Sequence, residues 1–170
     1  MLLSTPPFKP SITAPDFSLR DVISGNTISL SQQDTSKGFV VAFICNHCPY
    51  VLEIITEFVV TAKKLEEEGV KVFAVMSNNY DFVELDSPEN MKNFADKNNF
   101  SFPYLVDEDQ SVAKNYGAVC TPDFFGFNTK GNMQYRGRLQ DLEQAMLEIA
   151  DKGKFEIKQM PSKGCSIKWK

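Results

Sequence analysis

Apolar positions change their spacing several times along the chain, and each change predicts an element. Residues 39–44, Phe-Val-Val-Ala-Phe-Ile, are continuously apolar and rich in β-branched side chains, the pattern of a central strand buried on both faces. From Pro49 onward Val51, Ile54, Ile55, Phe58, Val59, Ala62 and Leu65 recur at spacings of three and four, and Gly69 follows. This spacing predicts a helix with a glycine at its end. Residues 70–76, Val-Lys-Val-Phe-Ala-Val-Met, predict a second buried strand. A strand, helix and strand of these lengths imply a parallel pair joined by a right-handed crossover.

Further on, Ser87-Pro88-Glu89 combines a capping serine with a proline at the first helical position, which predicts a helix to about Asn98. Residues 102–106 predict an edge strand, where Pro103 is tolerable. A short helix over 110–116 should end at Gly117. Two strand-like runs, 124–127 and 133–138, flank Lys130-Gly131-Asn132 as in a hairpin. Residues 139–150 carry Leu142, Ala145, Met146 and Ile149 on one helical face. Ahead of all this lies a turn-rich lead with Pro6, Pro7, Pro10 and Pro15, then short strand-like pieces at 16–19 and 27–30 around a turn at Gly25. The order predicts an α/β domain in three layers.

Composition narrows the setting. At 170 residues and 42% hydrophobic, the chain is sized for one packed domain. We expect a single unit over 1–170, with an N-terminal lead over 1–13 and a C-terminal tail over 156–170 that is polar and mobile. Repeats and low-complexity linkers are lacking. A net charge of -4 gives no electrostatic support for a nucleic-acid or anionic-membrane partner. The first residues lack the charged and apolar regions of a secretory signal, and no run approaches the span of a bilayer, so the expected location is cytoplasmic. Four cysteines are too few for a disulfide-stapled scaffold. Two of them, Cys45 and Cys48, have C-x-x-C spacing, which favours redox catalysis or metal binding.

That pair falls where the first strand gives way to the first helix. A helix N-terminus has unsatisfied N–H groups and a partial positive charge, so a cysteine there is stabilised as thiolate. Pro49 suits the first helical position, which makes Cys48 the N-cap and leaves Cys45 in the loop before it. His47 either adds positive charge beside Cys48 when protonated or packs at the loop.

Taken together, APDFSL, GFVVAFICNHCPY, the Thr-Pro step after YGAVC, and the FFGFN and MQYRGR strands resemble the thioredoxin-like superfamily. The resemblance covers residues 14–170 and is nearest to the peroxiredoxin-related redoxins of AhpC/TSA type with a C-x-H-C-P-Y motif and a GCSIKW tail. It implies a thioredoxin-like three-layer α/β/α sandwich with a mixed central sheet and an N-terminal β extension. The peroxiredoxin pattern P-x-x-x-T-x-x-C-P lays its reactive cysteine on Cys48 and its following proline on Pro49. Its threonine, however, falls on Cys45 and its first proline on Val41, and a thiol replaces a peroxide-binding hydroxyl poorly. Calling CNHC a thioredoxin motif would instead make Cys45 the attacker; the helix-start argument favours Cys48. Thr121-Pro122 resembles the cis-proline step that faces the cysteines in such folds. That would bring Cys120 close, as a third redox thiol or a packing residue. Cys165 would be either a C-terminal resolving cysteine or an inert thiol in a tail packed through Ile167 and Trp169. Arg136 and Arg138 would hold the thiolate or lie on the surface.

Three functions follow. The leading one is a thiol–disulfide oxidoreductase: Cys48 attacks a protein or small-molecule disulfide, Cys45 resolves, and an external dithiol restores the pair. The second is a thiol peroxidase with antioxidant activity, in which Cys48 reduces a hydroperoxide and its sulfenic acid condenses with Cys45 or Cys165. Neither needs a resident cofactor or metal. The third is a metallochaperone-like protein holding copper or zinc with Cys45, His47, Cys48 and Cys120. The resemblance leaves monomer and homodimer both open.

Overall fold

The computed structural model describes residues 1–10 and 12–170. Among them are ten strands and four helices: β1 (Leu2–Ser4), β2 (Ser18–Asp21), β3 (Thr27–Ser29), β4 (Phe39–Phe43), α1 (Pro49–Glu67), β5 (Lys71–Met76), α2 (Pro88–Lys97), β6 (Tyr104–Val106), α3 (Ser111–Tyr116), β7 (Cys120–Thr121), β8 (Asp123–Phe127), β9 (Met133–Gly137), α4 (Leu142–Lys152) and β10 (Lys163–Ser166).

Seven strands form one mixed sheet in the order β3-β2-β6-β5-β4-β8-β9. β4, β5 and β6 run parallel, while β8, β9 and the β2–β3 hairpin pair antiparallel. Every residue of β4 is buried, as its apolar run predicts. Alternation sorts that run between two cores. Val40 and Ala42 pack with α1, α2 and α4, whereas Phe39, Val41 and Phe43 pack with α3 and Phe17. Helices therefore cover both faces, giving the thioredoxin-like three-layer α/β/α architecture. Phe58 of α1 anchors the first core, its ring centroid 5.0 Å from Phe102 and 5.1 Å from Phe124. Fully burying one such side chain stabilises by roughly 1.5–3 kcal/mol.

The helix signals act as expected. Ser87 Oγ accepts from Asn90 N at 3.4 Å at the start of α2, and Gly69 follows α1 with φ +85°, a conformation that a side chain would strain.

Two expectations need correction. β6 is an interior strand, because the β2–β3 hairpin pairs along its outer side. Pro103 is still tolerated: it lies just before β6 and contributes only its carbonyl, which accepts from Ala74 N at 3.1 Å. The tail, expected to be mobile, instead forms β10 in a separate sheet of order β1-β10-β7. Ile167 is buried beside it, and the backbone of Lys168 bonds to Asn78, Asn79 and Gln110.

Candidate active site

β4 carries the chain into the centre of the domain, and α1 carries it away again. Cys48 is the N-cap residue of α1, with Pro49 at the first helical position. Both thiols are closed off from solvent, Cys45 at 1% and Cys48 at 0% exposure. Facing them is the Thr121–Pro122 peptide, which is cis. Cys45 Sγ lies 3.5 Å from Thr121 Oγ1, and the Cys48 thiol donates to the Thr121 carbonyl at 3.3 Å.

The two sulfurs are driven apart in acidity. The interaction between the two sulfurs lowers the Cys48 pKa and raises that of Cys45. Burial raises both, but Cys48 has further help from the Cys165 thiol and the Val51 N–H. The Val51 N–H pull is weak, since that group already bonds the Cys48 carbonyl at 3.0 Å. The Thr121 carbonyl suits only the protonated form of Cys48. The balance for Cys48 is downward and for Cys45 upward, so Cys48 is the more acidic of the two thiols.

β10 roofs this pair. Cys165 stands opposite Thr121 in the β10–β7 ladder, and Ser166 opposite Cys120. The approach is close enough that a Cβ added at Gly164 would lie 1.8 Å from the Thr121 carbonyl oxygen. Cys165 is partly exposed, and burial together with its bond to Cys48 pushes its thiol up to about 11. Cys120 is fully buried, and burial beside Asp123 pushes it up to about 12. Trp169 stays half-exposed, with Lys114 Nζ 5.7 Å above its ring.

His47 reaches a partner that the sequence does not reveal. Its Nδ1 lies 2.7 Å from Asp86 Oδ2, an ion-pair contact whose N–H is off the hydrogen-bond axis. Asp86 raises the His47 pKa. Asp86 itself is wholly buried: Oδ1 accepts from Asn46 N and Oδ2 from Asn78 Nδ2, each at 2.8 Å. An acid directly before the Ser87-Pro88 cap looks like helix-start chemistry, and no spacing rule links it to a histidine 39 positions earlier.

Both arginines are engaged by carboxylates. Arg138 Nε donates to Asp141 Oδ2 at 2.7 Å on the surface, and Arg136 Nη2 donates to buried Asp123 Oδ2 at 2.7 Å while its guanidinium lies 4.5 Å from the Phe125 ring centroid. Among the described residues, the groups with metal-ligating atoms within 4.8 Å of one another are Cys45, His47 and Asp86, without Cys48 or Cys120. Both Asp86 oxygens already accept N–H bonds, so the donor set expected for copper or zinc is not the one assembled. No helix is long and apolar enough to cross a membrane among the described residues.

A family model described as "AhpC/TSA family" matches residues 11–136. No curated protein matches the sequence. Among solved structures, a conserved protein of Geobacillus kaustophilus is 38% identical with a TM-score of 0.95, covering 100% of this chain and 97% of that one. A hypothetical protein of Sinorhizobium meliloti is 32% identical with a TM-score of 0.93, covering 98% of each chain. A secreted disulfide oxidoreductase of Mycobacterium tuberculosis shares the fold at 18% identity and a TM-score of 0.62, covering 77% of this chain and 94% of that one. This last likeness corrects the cytoplasmic expectation: the fold occurs in a secreted oxidoreductase, and thiol–disulfide exchange operates in oxidising compartments as well as reducing ones.

Proposed function

The chain belongs to the AhpC/TSA family, and from that premise we propose that it is a thiol–disulfide oxidoreductase in which Cys48 attacks and Cys45 resolves. Family and fold give it a general thiol–disulfide redox function. What supports the finer reading is the place of Cys48 as N-cap of α1, with Pro49 at the first helical position, together with the lowered pKa of Cys48 against the raised one of Cys45. Cys48 thiolate attacks one sulfur of a disulfide and expels the other as thiolate. Cys45 then loses its proton and attacks Cys48 Sγ, which expels the second thiolate and leaves a Cys45–Cys48 disulfide. An external dithiol reduces that bond.

The peroxidase reading has one observation in its favour: Cys165 lies against Cys48, where it could condense with a sulfenic acid. Against it stands Cys45 in the place of the peroxide-binding threonine. Reduced protein should therefore be mixed separately with hydrogen peroxide and with glutathione disulfide, and the new bond located by mass spectrometry. The oxidoreductase reading expects a fast reaction with the disulfide and a Cys45–Cys48 bond. Fast reaction with peroxide and a Cys48–Cys165 bond would overturn it in favour of the peroxidase.

A further inference from the structure

Asp86 is a carboxylate wholly buried in the domain, and its hydrogen bonds come from two neutral groups, Asn46 N and Asn78 Nδ2. A buried charge calls for a counter-charge or a metal ion. The basic group beside it is His47, with Nδ1 2.7 Å from Asp86 Oδ2. That nitrogen is itself buried and makes no hydrogen bond, so two polar atoms face each other without a bond between them. Cys45 completes the group: one ligand atom from each of Cys45, His47 and Asp86 lies within 4.8 Å of the other two. Tetrahedral coordination sets such atoms about 3–3.6 Å apart, which side-chain rotation brings within reach. The two amide bonds to Asp86 leave each oxygen a second lone pair, and they hold the carboxylate as an outer shell holds a ligand. The His47 side chain, 23% exposed, opens the group to solvent.

We propose that Cys45, His47 and Asp86 form a zinc site that the reduced protein fills and that closing the Cys45–Cys48 disulfide abolishes. One sulfur, one nitrogen and one oxygen suit Zn²⁺, and three protein ligands leave a fourth position for water. The charges balance, since Cys45 thiolate and Asp86 carboxylate neutralise the dication while His47 ligates as the neutral imidazole. Binding displaces the Cys45 proton to water. When a disulfide substrate oxidises the two thiolates it takes up two electrons and leaves as two thiolates. The Cys45 lone pair enters the new S–S bond, and redox-inert Zn²⁺ departs unchanged. The set differs from the one expected from the sequence, because Cys48 and Cys120 lie outside it. Lys168 bears on His47 as a second cation, with its Nζ turned to the Ser166 carbonyl at 2.6 Å. Metal here blocks thiol chemistry, since Cys45 cannot resolve while it ligates. The site stands on its three donors; the block rests on the assignment of Cys45 as resolver.

The test adds Co²⁺, a coloured stand-in for zinc, to the reduced chain without oxygen. It should give the visible bands of a tetrahedral ion and a near-ultraviolet thiolate-to-metal band, both displaced by Zn²⁺ and both missing from the disulfide form. Asp86→Asn and His47→Gln should each weaken zinc binding by more than about 100-fold, the most that an outer-shell partner costs. His47 is partly exposed, so its variant serves if Asp86→Asn does not fold. Cys45→Ser should remove the thiolate band, while Cys48→Ser should stay within about tenfold of wild type, the lower end of the outer-shell range. Bands that survive His47→Gln and vanish in Cys48→Ser would overturn the site and put the metal on the two cysteines. A reduced wild type without bands would overturn it as well. Exchange with glutathione disulfide, with and without saturating zinc, separates the two layers of argument. No exchange in the absence of metal would sink the oxidoreductase reading, whereas exchange equally fast with zinc bound would sink the block.

Discussion

Strands β4 and β10 border the same thiols and are held in place by different forces. All five residues of β4 are buried, and its side chains enter both cores. Of the four residues of β10 only Gly164 is buried, and the strand is fixed by ladder bonds and by single polar contacts such as Ser162 Oγ to the Pro122 carbonyl at 2.7 Å. Such bonds contribute about 0.5–1.5 kcal/mol each, whereas removing one large core side chain costs several. The comparison teaches that the floor of the site is rigid by apolar burial, while its roof can be loosened without unfolding the domain.

The sharpest expected effect lies at the floor. Cys48→Ser should reduce disulfide exchange by about 10³-fold or more, measured with a small disulfide, while thermal melting changes little. Phe58→Ala, which empties the space between Phe102 and Phe124, should lower stability by about 3–5 kcal/mol in denaturant titrations. Gly164→Ala presses a methyl group on the Thr121 carbonyl and should cost about 1–3 kcal/mol, with faster alkylation of Cys48 because the roof lifts. A loss of stability near that of Phe58→Ala, with no gain in alkylation, would break the comparison.

The smallest effect concerns pH. Asp86 raises the pKa of His47, so the pair's contribution to stability is fully present below the unfolded histidine pKa of about 6.5. It is lost as pH rises through the higher folded value. The melting difference between wild type and His47→Gln should accordingly be largest in mild acid and shrink above neutrality.

How much was legible follows the same division. The 39–44 run and the three-four spacing after Pro49 are local patterns, and by themselves they put Cys48 at a helix start. β10 has no such pattern: Lys-Gly-Cys-Ser carries no alternating apolar face, and its place depends on residues 2–4 and 120–121, far away in the chain. Asp86 was hidden for a related reason, because burying a carboxylate is decided by Asn46, His47 and Asn78 arriving from other elements. Arg138 misleads in the opposite way. It was a candidate to hold the thiolate, but Asp141, three residues on, pairs with it at the surface.

The most direct test of the account is the ultraviolet absorbance of the thiolate followed from about pH 5 to about pH 9 in wild type, Cys48→Ser and Cys45→Ser. Wild type should show a thiolate formed well below the ordinary thiol pKa of about 8.5. That signal should vanish in Cys48→Ser and persist in Cys45→Ser, where a hydroxyl that can still donate stands in place of the thiol. A low-pH thiolate that survives Cys48→Ser and disappears in Cys45→Ser would contradict the account and make Cys45 the attacker.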